Sequence, residues 1–423
     1  MTESLASGPL WYLNPHRSND HGMSSDLQRM VNEASTSVVG VYVIKGPATT
    51  LLGKKTIFGS GFIVECIQFD EMFVSTVLTS ASLIRSTDDI SAVASDIEAI
   101  KIVSNEIRCV AAISSYDFHF NIAVLKIETD VPIKIATLRK VNTALSINPY
   151  SDTNLPEYDA QSGKYNLRRE DPVVALGRYN DKLIVVAGNF SEFSCYDDGE
   201  TGLDCQELLR ADLIFPTVGI GGPLINRYGE VIGMTLHHVS FTPFLPTNIV
   251  SMCWEQLEKN GHCHLPRLGL KLFNVSDGTI SFTETLIEKS PETLKGVAVS
   301  VVTSAAPVFS PEILRCDVIF GCDGIPIGNI LELFEVICDK IGQAVELDVV
   351  RYGDGSHVKV MVVVGNIERD QIYRAGGLAE YEEVQKTVST AHKTSFRYIL
   401  WLDHALLVKS GLCLAILEFW GII

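Results

Sequence analysis

The sequence predicts a mainly β protein in which two six-stranded barrels are followed by a smaller α+β unit. Residues 36–250 consist of short apolar, β-branched runs separated by Gly, Asp, Asn and Ser, a pattern typical of sandwiches and barrels. Helical periodicity is scarce there. A polar stretch at 142–170 divides the runs into two groups of six, so we expect two packed barrels.

Each apolar run is bounded by residues that favour turns, which fixes the expected strands. Those of the first barrel are predicted at residues 38–44, 61–66, 73–79, 97–103, 109–114 and 122–127. Those of the second barrel are predicted at residues 172–176, 182–187, 207–213, 223–225, 230–236 and 244–249. Met252, Trp254 and Leu257 then recur at helical spacing before Gly261, which predicts a closing helix and a linker.

The α+β unit is predicted over residues 265–365. Its strands are expected at 268–273 and 297–302, its helix at 330–341, and a hairpin at 345–351 and 358–364 around a glycine-containing turn. The other predicted parts of the chain are a flexible N-terminal segment at 1–35, the double barrel at 36–262, and a tail of uncertain structure at 366–423. The end of the tail is apolar but interrupted by Asp403, His404, Lys409 and Glu418, which argues against a membrane anchor.

The composition of the chain indicates which partners are disfavoured and which cellular compartment is favoured. The 423 residues carry 34 basic and 51 acidic side chains, a net charge of −17 that disfavours nucleic acid. Ten cysteines show no C-x-x-C pair or repeated spacing, so no disulfide framework and no zinc site is expected. Buried thiols and the absence of a signal-like N-terminus favour an intracellular, reducing compartment such as the cytoplasm or nucleus, with organelle targeting left open. No cofactor is indicated.

Three separated segments carry a family resemblance. The first is Gly59-Ser60-Gly61-Phe62-Ile63 followed by VLTSASLI at 77–84, and the second is DFHFNIAVLKI at 117–127. The third is TVGIGGPL at 217–224, followed by INRYGEVIGM at 225–234. In this order they resemble the three catalytic corners of the HtrA/Deg family, trypsin-like proteases whose double β-barrel is followed by PDZ domains.

The resemblance implies where a catalytic triad would lie. Ser82 stands at the family's histidine, Asn121 at its aspartate and Ile220 at its serine, while Val218, Gly219 and Ile220 form the remnant of the oxyanion loop. Catalysis needs a nucleophile, a base and a carboxylate that orients the base. An isoleucine has neither a lone pair to attack a carbonyl nor a proton to give up. Peptide hydrolysis therefore has no nucleophile at this position.

Two groups of histidines lie near enough in the sequence to be candidate substitutes for the missing base. His119 lies two residues before Asn121 and would share its face if a regular strand continues there. It would still lack a serine at the third corner. His237 and His238 should alternate across a strand, and no third ligand at metal spacing accompanies them, so both are interpreted as structural.

The α+β unit resembles a PDZ domain. Its marks are Arg267-Leu268-Gly269-Leu270, at the family's carboxylate loop and first binding strand, and ILRCDVIFGCDG at 313–324. Cys316 departs from the pattern, since a glycine usually precedes the aspartate. The resemblance implies binding of peptide or protein C-termini by strand addition. The alternative is a unit that packs on the barrels with its groove closed.

The sequence therefore favours a catalytically inactive HtrA-like pseudoprotease that binds polypeptides. Two alternatives stay open: an active serine-type endopeptidase that uses substitute residues, and a regulatory subunit in mixed oligomers with active relatives. The family resemblance implies trimers, homo- or hetero-oligomeric, and Trp11 and Tyr12 are weakly similar to the aromatic contacts such trimers use.

Overall fold

A computed structural model describes residues 11–13, 25–46, 55–89, 91–104, 107–143, 156–191, 195, 207–238, 240–289, 295–302 and 313–366. The predicted tail at 366–423 lies outside these residues except for Asn366, as do Cys205 and Cys413. None of the eight cysteines in the described part is disulfide-bonded. No helix in that part is long and apolar enough to cross a membrane.

The first barrel is closed by six antiparallel strands in the order β2-β3-β4-β7-β6-β5. The strands are β2 (Val38–Lys45), β3 (Lys55–Phe69), β4 (Met72–Ser80), β5 (Ile97–Val103), β6 (Arg108–Asp117) and β7 (Ile122–Thr129). They contain all six predicted runs. β3 is longer than predicted at both ends: residues 55–60 pair with β2 in the barrel, and residues 67–69 extend past the apolar core as a hairpin arm.

The second barrel has the predicted six strands, and a short strand β1 (Trp11–Leu13) lies parallel to one of them. They are β10 (Pro172–Tyr179), β11 (Lys182–Ser191), β12 (Leu209–Asp212), β13 (Pro223–Ile225), β14 (Val231–Thr235) and β15 (Thr242–Pro246). Pairing of β11 with β12 closes this barrel. The parallel pair β8 (Val141–Asn142) and β9 (Tyr165–Asn166) lies in the connection between the barrels.

Two helices change the predicted boundaries. α1 (Ser25–Ser35) lies inside the segment expected to be flexible, and it orders because Leu27, Met30 and Val31 pack on the main core at helical spacing. α2 (Thr247–Asn260) is the expected closing helix, but it begins earlier than predicted. The strand predicted at 244–249 therefore ends at Pro246.

The C-terminal unit is a twisted antiparallel sheet with two helices. Its sheet follows the order β17-β18-β19-β21-β22, with β20 paired to β19, and β16 pairs with β23 where the unit begins and ends. The elements are β16 (Pro266–Arg267), β17 (Leu270–Asn274), α3 (Ile280–Lys289), β18 (Val297–Val302), β19 (Val318–Cys322), β20 (Ile325–Pro326), α4 (Ile330–Ile337), β21 (Ala344–Val350), β22 (His357–Val363) and β23 (Gly365–Asn366). α4 is one turn shorter than predicted, and α3 was not predicted.

Cys316 occupies a left-handed backbone position. Its φ is +70°, in the turn that precedes β19. Its N–H donates to Val299 O at 2.8 Å, so the turn is held in place. The neighbouring Asp317 is buried and forms an ion pair with Arg351. A residue with a Cβ is strained here, which explains why this position favours glycine.

We expect Cys316→Gly to raise the free energy of unfolding by about 1 kcal/mol, since the left-handed conformation costs that much with a side chain. Thermal denaturation measures the change. The control is Cys338→Gly, at a right-handed helix end with φ −58°, which should lower stability by about 1 kcal/mol. Equal effects of the two substitutions would contradict the strain at Cys316.

Candidate functional site

The structure brings the first two predicted corners together. Ser82 lies in a 3-10 turn at the end of β4, and Asn121 lies in the turn that leads into β7. Asn121 Oδ1 accepts hydrogen bonds from Ser82 N at 2.7 Å and from Ser80 Oγ at 3.1 Å. The Ser80 and Ser82 hydroxyl oxygens are 2.6 Å apart. These side chains supply amide and hydroxyl groups, but no base that could hold a proton near neutral pH.

Asn121 has a backbone φ of +55°, a conformation that asparagine tolerates better than most residues. Its own carbonyl accepts from Ala81 N at 3.1 Å. The side chain and the backbone of Asn121 therefore both hold the 3-10 turn of Ser82. The second corner therefore stabilises the turn of Ser82. It has a neutral amide at the position where a catalytic triad has a charged carboxylate.

Ile220 belongs to the loop between β12 and β13 of the second barrel, yet its side chain packs into the core of the first. It is 2% exposed and shares a cluster with residues of β2, β3, β4 and β7. The loop backbone also adjoins the other two corners, because a Cβ built on Gly221 would lie 2.5 Å from Ser80 N. The third corner therefore lies beside the other two, but the side chain at the nucleophile position, Ile220, is aliphatic and buried.

The amides of the loop are occupied by internal hydrogen bonds. Gly219 N donates to Pro216 O at 2.8 Å, and Ile220 N donates to Thr217 O at 3.2 Å. Gly221 N and Gly222 N donate to Thr235 O and Gly219 O, at 2.9 and 3.0 Å. An oxyanion hole needs amides directed at the position where a substrate oxygen develops charge. Four consecutive amides of this loop instead bind carbonyls of the protein.

Ser60 fastens the loop to the first barrel. Its Oγ donates to Val218 O at 2.9 Å and accepts from Arg178 N at 2.9 Å, while Ser60 N donates to Ile220 O at 2.8 Å. Ser60 is fully buried, so these bonds are shielded from water. One residue of the first barrel therefore fixes two segments of the second.

A model of the trypsin-like peptidase domain matches residues 59–234, which contain all three corners. The sequence is 28% identical over 194 residues to the putative protease Do-like 14 of Arabidopsis thaliana, covering 44% of this chain and 43% of that protein. It is 26% identical over 225 residues to the serine protease Do-like HtrB of Bacillus subtilis (strain 168), covering 50% and 49%. These matches support the resemblance of this chain to the HtrA/Deg family. The chain spans about half the length of these two curated relatives.

A solved structure of this family agrees with the fold. The HtrA-type protease AlgW with tripeptide superimposes with a TM-score of 0.51 and 16% identity, over 81% of this chain and 97% of that one. The predicted trypsin-like double barrel is confirmed. These likenesses concern the fold, and the chemistry of this chain depends on its own side chains.

His119 does not share a strand face with Asn121, contrary to the expectation for a regular strand. Residues 118–121 form a turn, so the alternation of side chains stops there. The His119 ring packs edge-on against Phe120 at 4.9 Å, and burial lowers the pKa of His119 to about 4. No hydrogen bond joins it to Ser80, Ser82 or Asn121, all of which the structure describes.

His237 and His238 follow the end of β14 at Thr235, so their predicted alternation across a strand does not apply. Burial lowers the pKa of His237 to about 4, and the His238 ring stacks near Phe241 at 4.0 Å. Within the described ranges, no three His, Cys, Asp or Glu side chains are placed to hold a metal ion.

The predicted peptide-binding residues lie at the edge of the C-terminal sheet. Arg267 pairs with Gly365, Leu268 is buried in the core of the unit, Gly269 turns the chain with φ +72°, and Leu270 begins the edge strand β17. α4 lies beside this strand, where Asn274 Oδ1 accepts from Ile330 N at 2.8 Å. The loop, the edge strand and the helix therefore lie next to one another in this unit.

The other face of α4 docks on the barrels, a contact that was not predicted from the sequence. The Phe334 ring meets Phe120 edge-on at 5.8 Å, beside the Asn121 corner. Glu335 accepts from Asn248 Nδ2 at 2.8 Å and from Lys164 Nζ at 2.5 Å. A signal was present, because the helix ILELFEVI is apolar on more than one face, as expected of a helix packed on two sides.

Proposed function

We propose that this HtrA/Deg-like chain is catalytically inactive and binds polypeptides through its C-terminal unit. The observation that carries the proposal is Ile220, a buried isoleucine at the position where the family places its nucleophile. Ser82 and Asn121 supply no base and no carboxylate, and the loop amides bind carbonyls of the protein. Every group that peptide hydrolysis requires is thus replaced or occupied.

The expected loss of rate is large. Removing the serine or histidine of a triad alone typically costs about 10⁶ in turnover. An intact oxyanion hole and substrate binding would leave about 10³ over the uncatalysed reaction. In this chain the amides of such a hole already donate hydrogen bonds to carbonyls of the protein, so even this residual rate enhancement is expected to be smaller.

The binding part of the proposal assigns a PDZ-like role to the C-terminal unit. Arg267, Leu268, Gly269 and Leu270 would receive the terminal carboxylate of a peptide or protein partner, which extends along β17 with α4 as the opposite wall. Gly269 permits a close backbone approach because it has no Cβ, and for the same reason it adopts its φ of +72° without strain. A protein of related fold, the HtrA-type protease AlgW, was solved with a tripeptide, which is consistent with peptide binding by this chain. The docked face of α4 differs from the face beside β17, which argues against a closed groove.

Activity is tested on the purified full chain with fluorescent casein and with a fluorophosphonate probe that labels activated serines. We expect no turnover above a heat-inactivated sample and no labelling, because the described site offers no activated hydroxyl. Labelling of a serine together with turnover would favour the alternative, an endopeptidase that uses substitute residues.

Binding is tested with a fluorescent library of peptides that end in an apolar residue, each prepared with a free and with an amidated C-terminus. Amidation should weaken binding at least tenfold, because it removes the charge that the loop receives. Gly269→Val should abolish binding, whereas Gly324→Val, at a similar φ of +76° in a turn of the same unit, should not. Equal binding of free and amidated peptides would refute the proposed role.

Assembly into trimers, either alone or with active relatives, belongs to the same proposal and is supported by the family resemblance. Light scattering of the purified chain measures the first possibility. Co-purification with an active HtrA-type protease measures the second and would favour a regulatory subunit.

A further inference from the structure

One end of the first barrel carries an arm that no other described strand covers. β3 pairs with β2 only over residues 55–62, whereas its pairing with β4 continues to Phe69. The segment after β7 borders β3 as far as Cys66, where Ile133 N lies 3.5 Å from Cys66 Sγ. Beyond that point, no described residue pairs with the outer edge of Ile67, Gln68 and Phe69. This three-residue stretch is called the hairpin edge.

The side chains of the arm are apolar and exposed. Ile67 is 55% exposed, Phe69 70% and Met72 41%. Ile67 and Phe69 lie on one face, since they are two residues apart, and Met72 shares this face because it pairs directly with Phe69. Val131, on the adjoining segment, is also exposed. An exposed apolar face beside an uncovered strand edge is a combination that folded proteins usually avoid.

The surroundings of the hairpin edge are acidic. Asp70 and Glu71 form the turn, Glu128 pairs with Val74 beside the apolar face, and Asp130 follows β7. All four side chains are exposed. They outnumber Lys134, the basic residue of the adjoining segment 130–136. A second copy of this chain would bring the same charges and repel, and an anionic membrane would be repelled as well.

We propose that the hairpin edge is a docking surface for an extended strand of a basic protein partner. The partner strand would add to β3 at Ile67–Phe69, lay apolar side chains on Phe69 and Met72, and place lysine or arginine near Asp70, Glu71 and Glu128. This surface lies on the first barrel and is separate from the C-terminal unit, so it does not depend on the function proposed above.

The probe is an acetylated, amidated peptide of alternating valine and lysine, compared with a peptide of alternating valine and glutamate. Amidation removes the carboxylate that the C-terminal unit would receive, which separates the two proposals. Fluorescence anisotropy should show the lysine peptide binding at least tenfold more tightly, with affinity falling from 50 to 500 mM salt. Amide hydrogen exchange of residues 67–69 should slow when it binds.

The test variant is Phe69→Thr with Met72→Thr, which keeps residues that suit a strand but removes the apolar face. It should lower affinity for the lysine peptide at least tenfold. The control is Val110→Thr, an equally exposed position on β6 of the same barrel, which should change affinity less than twofold. Equal binding of the two peptides, or equal effects of the two variants, would overturn the proposal. So would binding to phosphatidylserine vesicles, or self-association, that the double variant abolishes.

Discussion

Ile220→Ser is expected to lower the free energy of unfolding by about 3 kcal/mol and to create no protease. The isoleucine side chain fills the core of the first barrel, and its removal leaves a cavity with a hydroxyl that has been taken out of water. Ser82 and Asn121 remain unable to accept the proton of the new hydroxyl. Urea unfolding measures the stability, and cleavage of fluorescent casein measures the activity.

The control for this substitution is Ile214→Ser, which makes the same chemical change at an exposed position shortly before the loop. We expect it to change stability by less than about 1 kcal/mol. Turnover by the Ile220→Ser protein would show that the site retains a base. Equal destabilisation by the two variants would show that Ile220 is not part of the core.

Phe334→Ala is expected to lower the free energy of unfolding by about 3 kcal/mol and to loosen the C-terminal unit. Phe334 is buried in the cluster that joins α4 to the barrels, and removal of a buried phenylalanine typically costs 3–5 kcal/mol. With the contact to Phe120 lost, α4 would be held on the barrels by Leu331 and by the bonds of Glu335 to Lys164 and Asn248. Limited proteolysis of the linker at 261–265 measures the loosening.

Phe320→Ala is the matched control, because Phe320 belongs to the same unit but packs beside His357 instead of the barrels. It should leave the rate of linker cleavage unchanged. If both variants were cleaved at one rate, α4 would not be the element that fixes the unit.

The strands of both barrels could be predicted because each one is a run of apolar, β-branched residues that is buried in the fold. Ile97–Val103 and Pro223–Ile225 match the predicted limits, and most others differ by a few residues at their ends. The arm of β3 was not predicted, since Ile67 and Phe69 are apolar but face solvent. α1 was missed because its segment is short, polar on average and rich in turn-favouring residues before it begins.

The sequence could indicate which residues stand at the candidate site, but not how their side chains and backbone amides are oriented. The family resemblance indicated Ser82, Asn121 and Ile220, and the structure places all three at one junction of the barrels. The direction of the Ile220 side chain could not be predicted, because it packs among residues more than 80 positions earlier in the chain, on which local patterns carry no information. The bonding of the loop amides is local, but it depends on the exact turn of the backbone, which the residue types alone do not specify.

The bonds of Ser60 bear on how the chain acquires its shape during synthesis. Ser60 contacts Arg178 and Val218, which lie 118 and 158 residues later, and all other members of the core cluster of Ile220 lie between Val39 and Ile133. The earlier barrel therefore leaves the ribosome before the residue that completes its interior has been made. Contacts of such long sequence separation slow folding, so the apolar core of the first barrel would stay incomplete in a half-made chain.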